Sequence, residues 1–201
     1  MNIESIEELR TLYAAPKERT IKKQIGHLDV HCRRFISFSP FVVVASSDST
    51  GRMDASPRGG DPGFVKVPDA TTLLLPDAPG NNRLDSLENV IATGQVGMLF
   101  MIPGVDETLR INGTAVLSRA DAEIDLCTNE RRRPKLVIRV AVREAYLHCA
   151  KALMRSRLWR IESRIDRALL PTIGEMINDQ TGCHVPLETR EDMERRYAKD
   201  L

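Results

Sequence analysis

The chain has 201 residues, 42% hydrophobic and 28% charged, with 29 Lys and Arg against 28 Asp and Glu for a formal net charge of +1. That length fits one domain with a hydrophobic core, and the balanced charge gives no global field to draw in nucleic acid or an anionic membrane. No apolar run approaches the roughly 20 residues that span a bilayer, and the acidic start Met1-Asn-Ile-Glu-Ser-Ile-Glu-Glu8 lacks the apolar core of a signal peptide, so a cytoplasmic protein is expected.

Ile3, Ile6, Leu9, Leu12 and Tyr13 recur at helical spacing, Pro16 redirects the chain, and residues 18–24 read as a second helix. Asp29 to Ile36 reads as a third. Phe41 to Ala45 is a β-branched strand; Ser47 to Gly51 has turn chemistry, and Arg52 to Ser56 returns as its partner. Pro57, Gly59, Gly60, Pro62 and Gly63 predict an irregular loop before β character resumes at 64–67 and 71–75. Successive strands with tight connections favour a meander or barrel over alternating βαβ units.

After a loop from Pro76 to Asn82, Asp85 reads as a helix cap with Glu88 three residues on and Gly94 as the stop. Residues 96–102 read as a strand buried on both faces. The next strand, 108–117, contains Gly113, which marks a bulge or a close backbone approach. A short helix over 119–128, a strand over 136–142 and two closing helices, 172–179 and 189–201, complete the reading; Thr189 with Asp192 makes a capping-box position.

The chemistry concentrates in three stretches, Arg52 to Arg58, Pro76 to Arg83 and Thr108 to Gly113. Each sets a basic side chain beside a β-prone run. If Arg52, Arg58, Arg83 and Arg110 meet, they can hold a shared anion such as a phosphate, to which guanidinium groups bind in bidentate fashion. A helix start beside Arg83 adds free N–H groups. The sequence has no dinucleotide, P-loop, zinc-protease or esterase motif. Cys32, Cys127, Cys149 and Cys183 form no C-x-x-C pair, so free thiols are expected and no metal site is. His148-Cys149 supplies the residue types of a Cys–His hydrolase, although neighbours in sequence rarely face each other as a catalytic pair.

Taken together, Arg52-Met-Asp-Ala-Ser-Pro-Arg-Gly59 with Gly63-Phe-Val65, Leu74-Leu-Pro-Asp77 with Gly80-Asn-Asn-Arg83, Leu99 to Gly104 with Thr108-Leu-Arg-Ile-Asn-Gly113, and Glu144 to Trp159 resemble the pyridoxamine 5′-phosphate oxidase-like family of FMN-binding split barrels. The resemblance covers about residues 35–160. It implies an α+β fold, a six- or seven-stranded antiparallel split barrel with peripheral helices, as a single domain over 1–201 with helical extensions at 1–36 and 160–201. It also implies a homodimer with FMN at the subunit interface.

By position, the resemblance makes Arg52, Ser56, Pro57 and Arg58 FMN contacts, lays the backbone of Leu75, Pro76 and Asp77 along the flavin ring, and puts Asn82 and Arg83 on the phosphate. Thr108 and Arg110 fall on a strand at the flavin edge, and Lys151, Arg155, Ser156 and Trp159 on a segment reaching the partner's flavin. His148 becomes a candidate catalytic proton donor. The family's C-terminal Arg-x-His segment is missing, which argues against true pyridoxamine phosphate oxidase activity. The implied function is FMN-dependent oxidoreduction of a small molecule, with an FMN- or haem-binding carrier or redox sensor as the alternative.

Overall fold

The computed structural model describes residues 2–199. Helices α1 (Ile6–Thr11), α2 (Glu18–Lys22) and α3 (Val30–Phe38) precede strands β1 (Phe41–Ser47), β2 (Met53–Gly59) and β3 (Thr72–Pro76). Then come α4 (Asp85–Thr93), β4 (Gln95–Met101), β5 (Thr108–Ser118), α5 (Asp121–Cys127), β6 (Val137–His148), α6 (Lys151–Ser156), α7 (Ile173–Thr181) and α8 (Arg190–Tyr197). The last two residues of the helix expected over 189–201, Asp200 and Leu201, lie outside the described residues.

The six strands form one antiparallel sheet in the order β2-β1-β4-β5-β6-β3. Its inner face carries Val42, Val44, Met98, Phe100, Leu109, Ile111 and Val140, all buried in one core with Leu73 and Leu75 of β3 and Leu87 and Val90 of α4. Period-2 alternation puts these side chains inward, and the sheet curls around them. The result is the expected split β-barrel, with six strands.

Several local expectations differ from what forms. Residues 57–59 continue β2 rather than looping out, with Pro57 opposite Val43; β2 is an edge strand, where a missing N–H costs no ladder bond. Residues 64–67 make only an isolated bridge, Lys66 to Leu74. β4 buries one face fully and the other partly, because only its inner face meets the core. β6 runs on to His148, since its partner β5 extends back to Thr108. Asp85 is the first residue of α4 and makes no cap; Leu84 sits at the N-cap with φ 61°.

Gly113 stands at a register shift between β5 and β6. A Cβ there would press into the Ala141 carbonyl oxygen and lie 3.2 Å from Val140 Cγ1. The backbones approach so closely that only hydrogen fits.

The core sits entirely within the central part of the chain. Helices α1 and α2 and everything from Lys151 to Tyr197 bury no residue. The N-terminal segment is tied to β6 by paired backbone bonds between Ile25 and Ala145, 3.0 and 2.7 Å. Trp159 Nε1 donates to the Val105 carbonyl at 2.9 Å and clips the C-terminal segment to the barrel.

The thiols divide by the same geometry. Burial pushes Cys32 up to about 12 and Cys127 up to about 11, whereas Cys149 and Cys183 are exposed. Alkylation of the native protein at pH 8, followed by mass, should add two labels quickly and four only after unfolding. Early labelling of Cys32 would contradict its place on the buried face of α3.

Candidate functional site

The β1–β2 turn is built by one side chain. Asp48 Oδ1 accepts from the Thr50 N–H at 2.8 Å, the Thr50 hydroxyl at 2.7 Å and the Arg52 N–H at 3.0 Å, while Gly51 takes φ 87°. Hydrogen bonds from Thr50 and Arg52 hold the Asp48 carboxyl below its ordinary range. Arg52 is thereby fixed just ahead of β2.

Helix α4 docks across this hairpin through polar pairs. The Ser86 hydroxyl donates to Asp54 Oδ2 at 2.5 Å, Asn89 Nδ2 donates to Ser46 Oγ at 3.0 Å, and Thr93 Oγ1 donates to the Ser47 carbonyl at 2.9 Å. The loop entering α4 is wound tightly, with Asn82 at φ 58° and Leu84 at φ 61°, a left-handed conformation costly for residues other than glycine. Between them, Arg83 Nε donates to Asp85 Oδ2 at 2.8 Å. This pairing lowers the Asp85 carboxyl and raises the Arg83 guanidinium. Arg52 and Arg83 line one hollow with Asp48, Asp54, Asp85 and Asn89.

The second feature is the seam between the two sheet edges. Strands β2 and β3 are outermost in the sheet, and the curl brings Arg58 at the end of one against Asp77 beyond the end of the other, Nη1 to Oδ1 3.7 Å. Both side chains are about four-fifths buried, at 19% and 20% exposure. Arg58 Nε is buried without a hydrogen-bond partner. A buried guanidinium N–H lacking an acceptor is costly, so the seam is a place where an oxygen of a bound molecule would be stabilised. Ser56 shares Arg58's face of β2.

The third feature lies where β5 meets the end of β6. Thr108 is buried opposite His148, and Arg110 stands opposite Tyr146. Arg110 Nη1 donates to the Tyr146 hydroxyl oxygen at 3.0 Å, and Lys23 Nζ donates to the Leu147 carbonyl at 2.9 Å. Burial first, then the charges of Arg110 and Lys23, lower His148 below its ordinary value. Its Nδ1 is buried without a partner. Beyond it, α6 carries Lys151, Arg155 and Ser156; Arg155 Nε donates to the Lys151 carbonyl and the Ser156 hydroxyl to the Leu153 carbonyl, both at 3.1 Å.

The four arginines therefore occupy three places in one chain. Arg52 and Arg83 share the hollow, Arg58 holds the seam, and Arg110 lies with Tyr146. Six residues of extended strand separate Arg52 from Arg58, about 20 Å, so one phosphate cannot touch both. Pro57 is exposed on the outer face, Leu75 is buried in the core, and Pro76 and Asp77 close β3 beside the seam. Lys23, Asp48, Ser86, Asn89 and Tyr146 were not singled out by motif. Of these, Tyr146 alone had a legible signal, since it falls two residues before His148 on an alternating strand.

The family model described as pyridoxamine 5′-phosphate oxidase matches residues 28–149, from just before α3 to the end of β6. No curated protein matches the chain. Among solved structures, a histidine-to-alanine variant of HupZ from Group A Streptococcus is 17% identical with a TM-score of 0.50, over 60% of this chain and 99% of that one. An FMN-binding protein from Syntrophomonas wolfei subsp. wolfei is 9% identical with a TM-score of 0.44, over 58% and 83% of the two chains. General Stress Protein 26 from Bacillus anthracis str. Sterne is 10% identical with a TM-score of 0.44, over 59% and 94%. Among the described residues, no helix is long and apolar enough to cross a membrane. With the family match extending over more than half the residues and over every strand of the sheet, the chain belongs to the pyridoxamine 5′-phosphate oxidase family.

Proposed function

We propose that the protein binds FMN along the β2–β3 seam and acts as an FMN-dependent oxidoreductase on a small molecule. The observation that carries this reading is the buried Arg58 Nε with no acceptor, where Arg58 of β2 meets Asp77 just beyond β3. A phosphate oxygen there would complete its hydrogen bonding. Ser56 on the same strand face is a further group able to hold the phosphate; Asn82 and Arg83, in the loop after β3, join it only if Arg83 leaves the hollow and exchanges Asp85 for the ligand. Pro76 and Asp77 would border the ring. FMN in that position would supply hydride or electron transfer, with the chain providing position and charge.

A homodimer completes this reading. The outer sheet face carries half-buried Val43, Ala45 and Leu99, and α6 to α8 bury nothing in their own chain, so both surfaces are available to a second copy. Lys151, Arg155, Ser156 and Trp159 are then candidates for the partner's flavin. His148, lowered below its ordinary value by burial and then by the charges of Arg110 and Lys23, is a candidate hydrogen-bonding group beside the flavin.

The test is a titration of the purified protein with FMN and with riboflavin, followed by flavin fluorescence and absorption. FMN should bind at one per chain and at least about tenfold more tightly than riboflavin, which lacks the phosphate. A protein that takes up neither flavin, or shows a haem band instead, would defeat the proposal.

A further inference from the structure

Outside the seam and the hollow, the chain assembles a second group of cationic and hydrogen-bonding side chains from three separate segments. The Ile25–Ala145 bridge lays the end of α2 along β6, so Lys23 Nζ reaches the Leu147 carbonyl at 2.9 Å and stands 5.5 Å from the Tyr146 ring centroid. From β5, the Arg110 guanidinium lies 5.7 Å from the same centroid while bonding the phenol oxygen. His148 completes the group from β6, with a buried Nδ1 that has no partner.

Among the described residues, neither Lys23 nor Arg110 has a carboxylate within ion-pair distance, whereas Arg58, Arg83, Arg133, Arg139, Arg190, Arg195 and Arg196 do. The nearest acidic residue along β6, Glu144, is engaged by Asn112 Nδ2 at 3.0 Å. Two like charges held around one ring, without a counter-charge, repel each other. Because Tyr146 accepts from Arg110, its own phenol proton is free to donate. The remaining N–H groups of Lys23 and Arg110, the Tyr146 hydroxyl and the N–H of the His148 imidazole then make a donor set with no carboxylate of its own among the described residues.

We infer that Lys23, Arg110, Tyr146 and His148 form a binding site for the carboxylate or phosphate of a small molecule, separate from the flavin phosphate site. The outermost residue of the set comes from the N-terminal segment, before the region the family model matches. Lys23 thus adds a group from before the matched region to three that lie within it.

The experiment follows the His148 imidazole by NMR in the full-length protein, with inorganic phosphate as probe, both without flavin and with saturating FMN. A bound anion favours the imidazolium, so the His148 titration midpoint should rise, saturably, by about half a pH unit or more. The rise should persist with FMN bound and be lost in Lys23→Gln/Arg110→Gln, two exposed positions whose replacement leaves the core intact. Absence of a saturable response, or an equal response in the double variant, overturns the inference. Loss of the response on saturation with FMN also overturns it, by assigning the cluster to the flavin. The wild-type titration decides the matter even if the variant proves unstable, and it reads His148 whether or not the seam is the phosphate site.

Discussion

Gly113→Ala is expected to destabilise the barrel by about 3 kcal/mol, the upper range for forcing a methyl into a packed interior. For a chain of this size that is a loss of roughly 6–12 °C in Tm. The added carbon would meet the Ala141 carbonyl and Val140 Cγ1, which are backbone and core and cannot swing away. Relief requires β5 and β6 to separate at the bulge, weakening the pairing that holds the sheet's longest strands. Gly80→Ala is the matched control: nothing lies within 4 Å of its Cβ position, so stability should be unchanged or rise by about 0.5 kcal/mol. Urea unfolding of both variants checks the pair. Equal stabilities would mean that the bulge is not the tight crossing described.

Arg58→Lys is expected to weaken FMN binding by about 10- to 100-fold, the equivalent of one charge-assisted hydrogen bond of about 1.5–3 kcal/mol. Lysine keeps the positive charge opposite Asp77 but has no Nε–H at the buried position. Riboflavin affinity should change little, so the preference for FMN should collapse while the protein stays folded. Arg83→Ala should cost about tenfold, since its guanidinium is exposed and must first leave Asp85. If Arg58→Lys binds FMN like the wild type, the orphaned nitrogen is not where the phosphate sits.

The split barrel was legible from the order and spacing of the four blocks that resemble the family, whereas what single residues showed was local. The Gly94 stop of α4, the Thr189 cap of α8 and the special position of Gly113 all follow from the conformational demands of single residues, and the structure shows each in place. Asp85 illustrates the limit of such reading. Its type and position suit a cap, yet Arg83 two residues earlier competes for the carboxylate and wins. Arg58 against Asp77 was beyond reach for a different reason. Their meeting depends on the curl of the whole sheet, which no spacing between them encodes. Lys23 likewise reaches Tyr146 only because Ile25 pairs with Ala145, a contact set by how the N-terminal segment crosses the barrel.

The strand order has a consequence for how the molecule comes into being. β4, β5 and β6 follow one another and can pair as each appears, but β3 finds its only long partner in β6, about 60 residues later, several seconds of ribosomal synthesis at typical rates. Until then Leu73 and Leu75 have nowhere to go, and the loop from Asp77 to Leu84 hangs from an unplaced strand. Long-range pairing of this kind is slow because loop closure precedes any gain in contacts. The loop bearing Asn82 and Arg83 is thus among the last parts of the nascent chain to acquire its native surroundings, and a destabilised β6 would be felt there first.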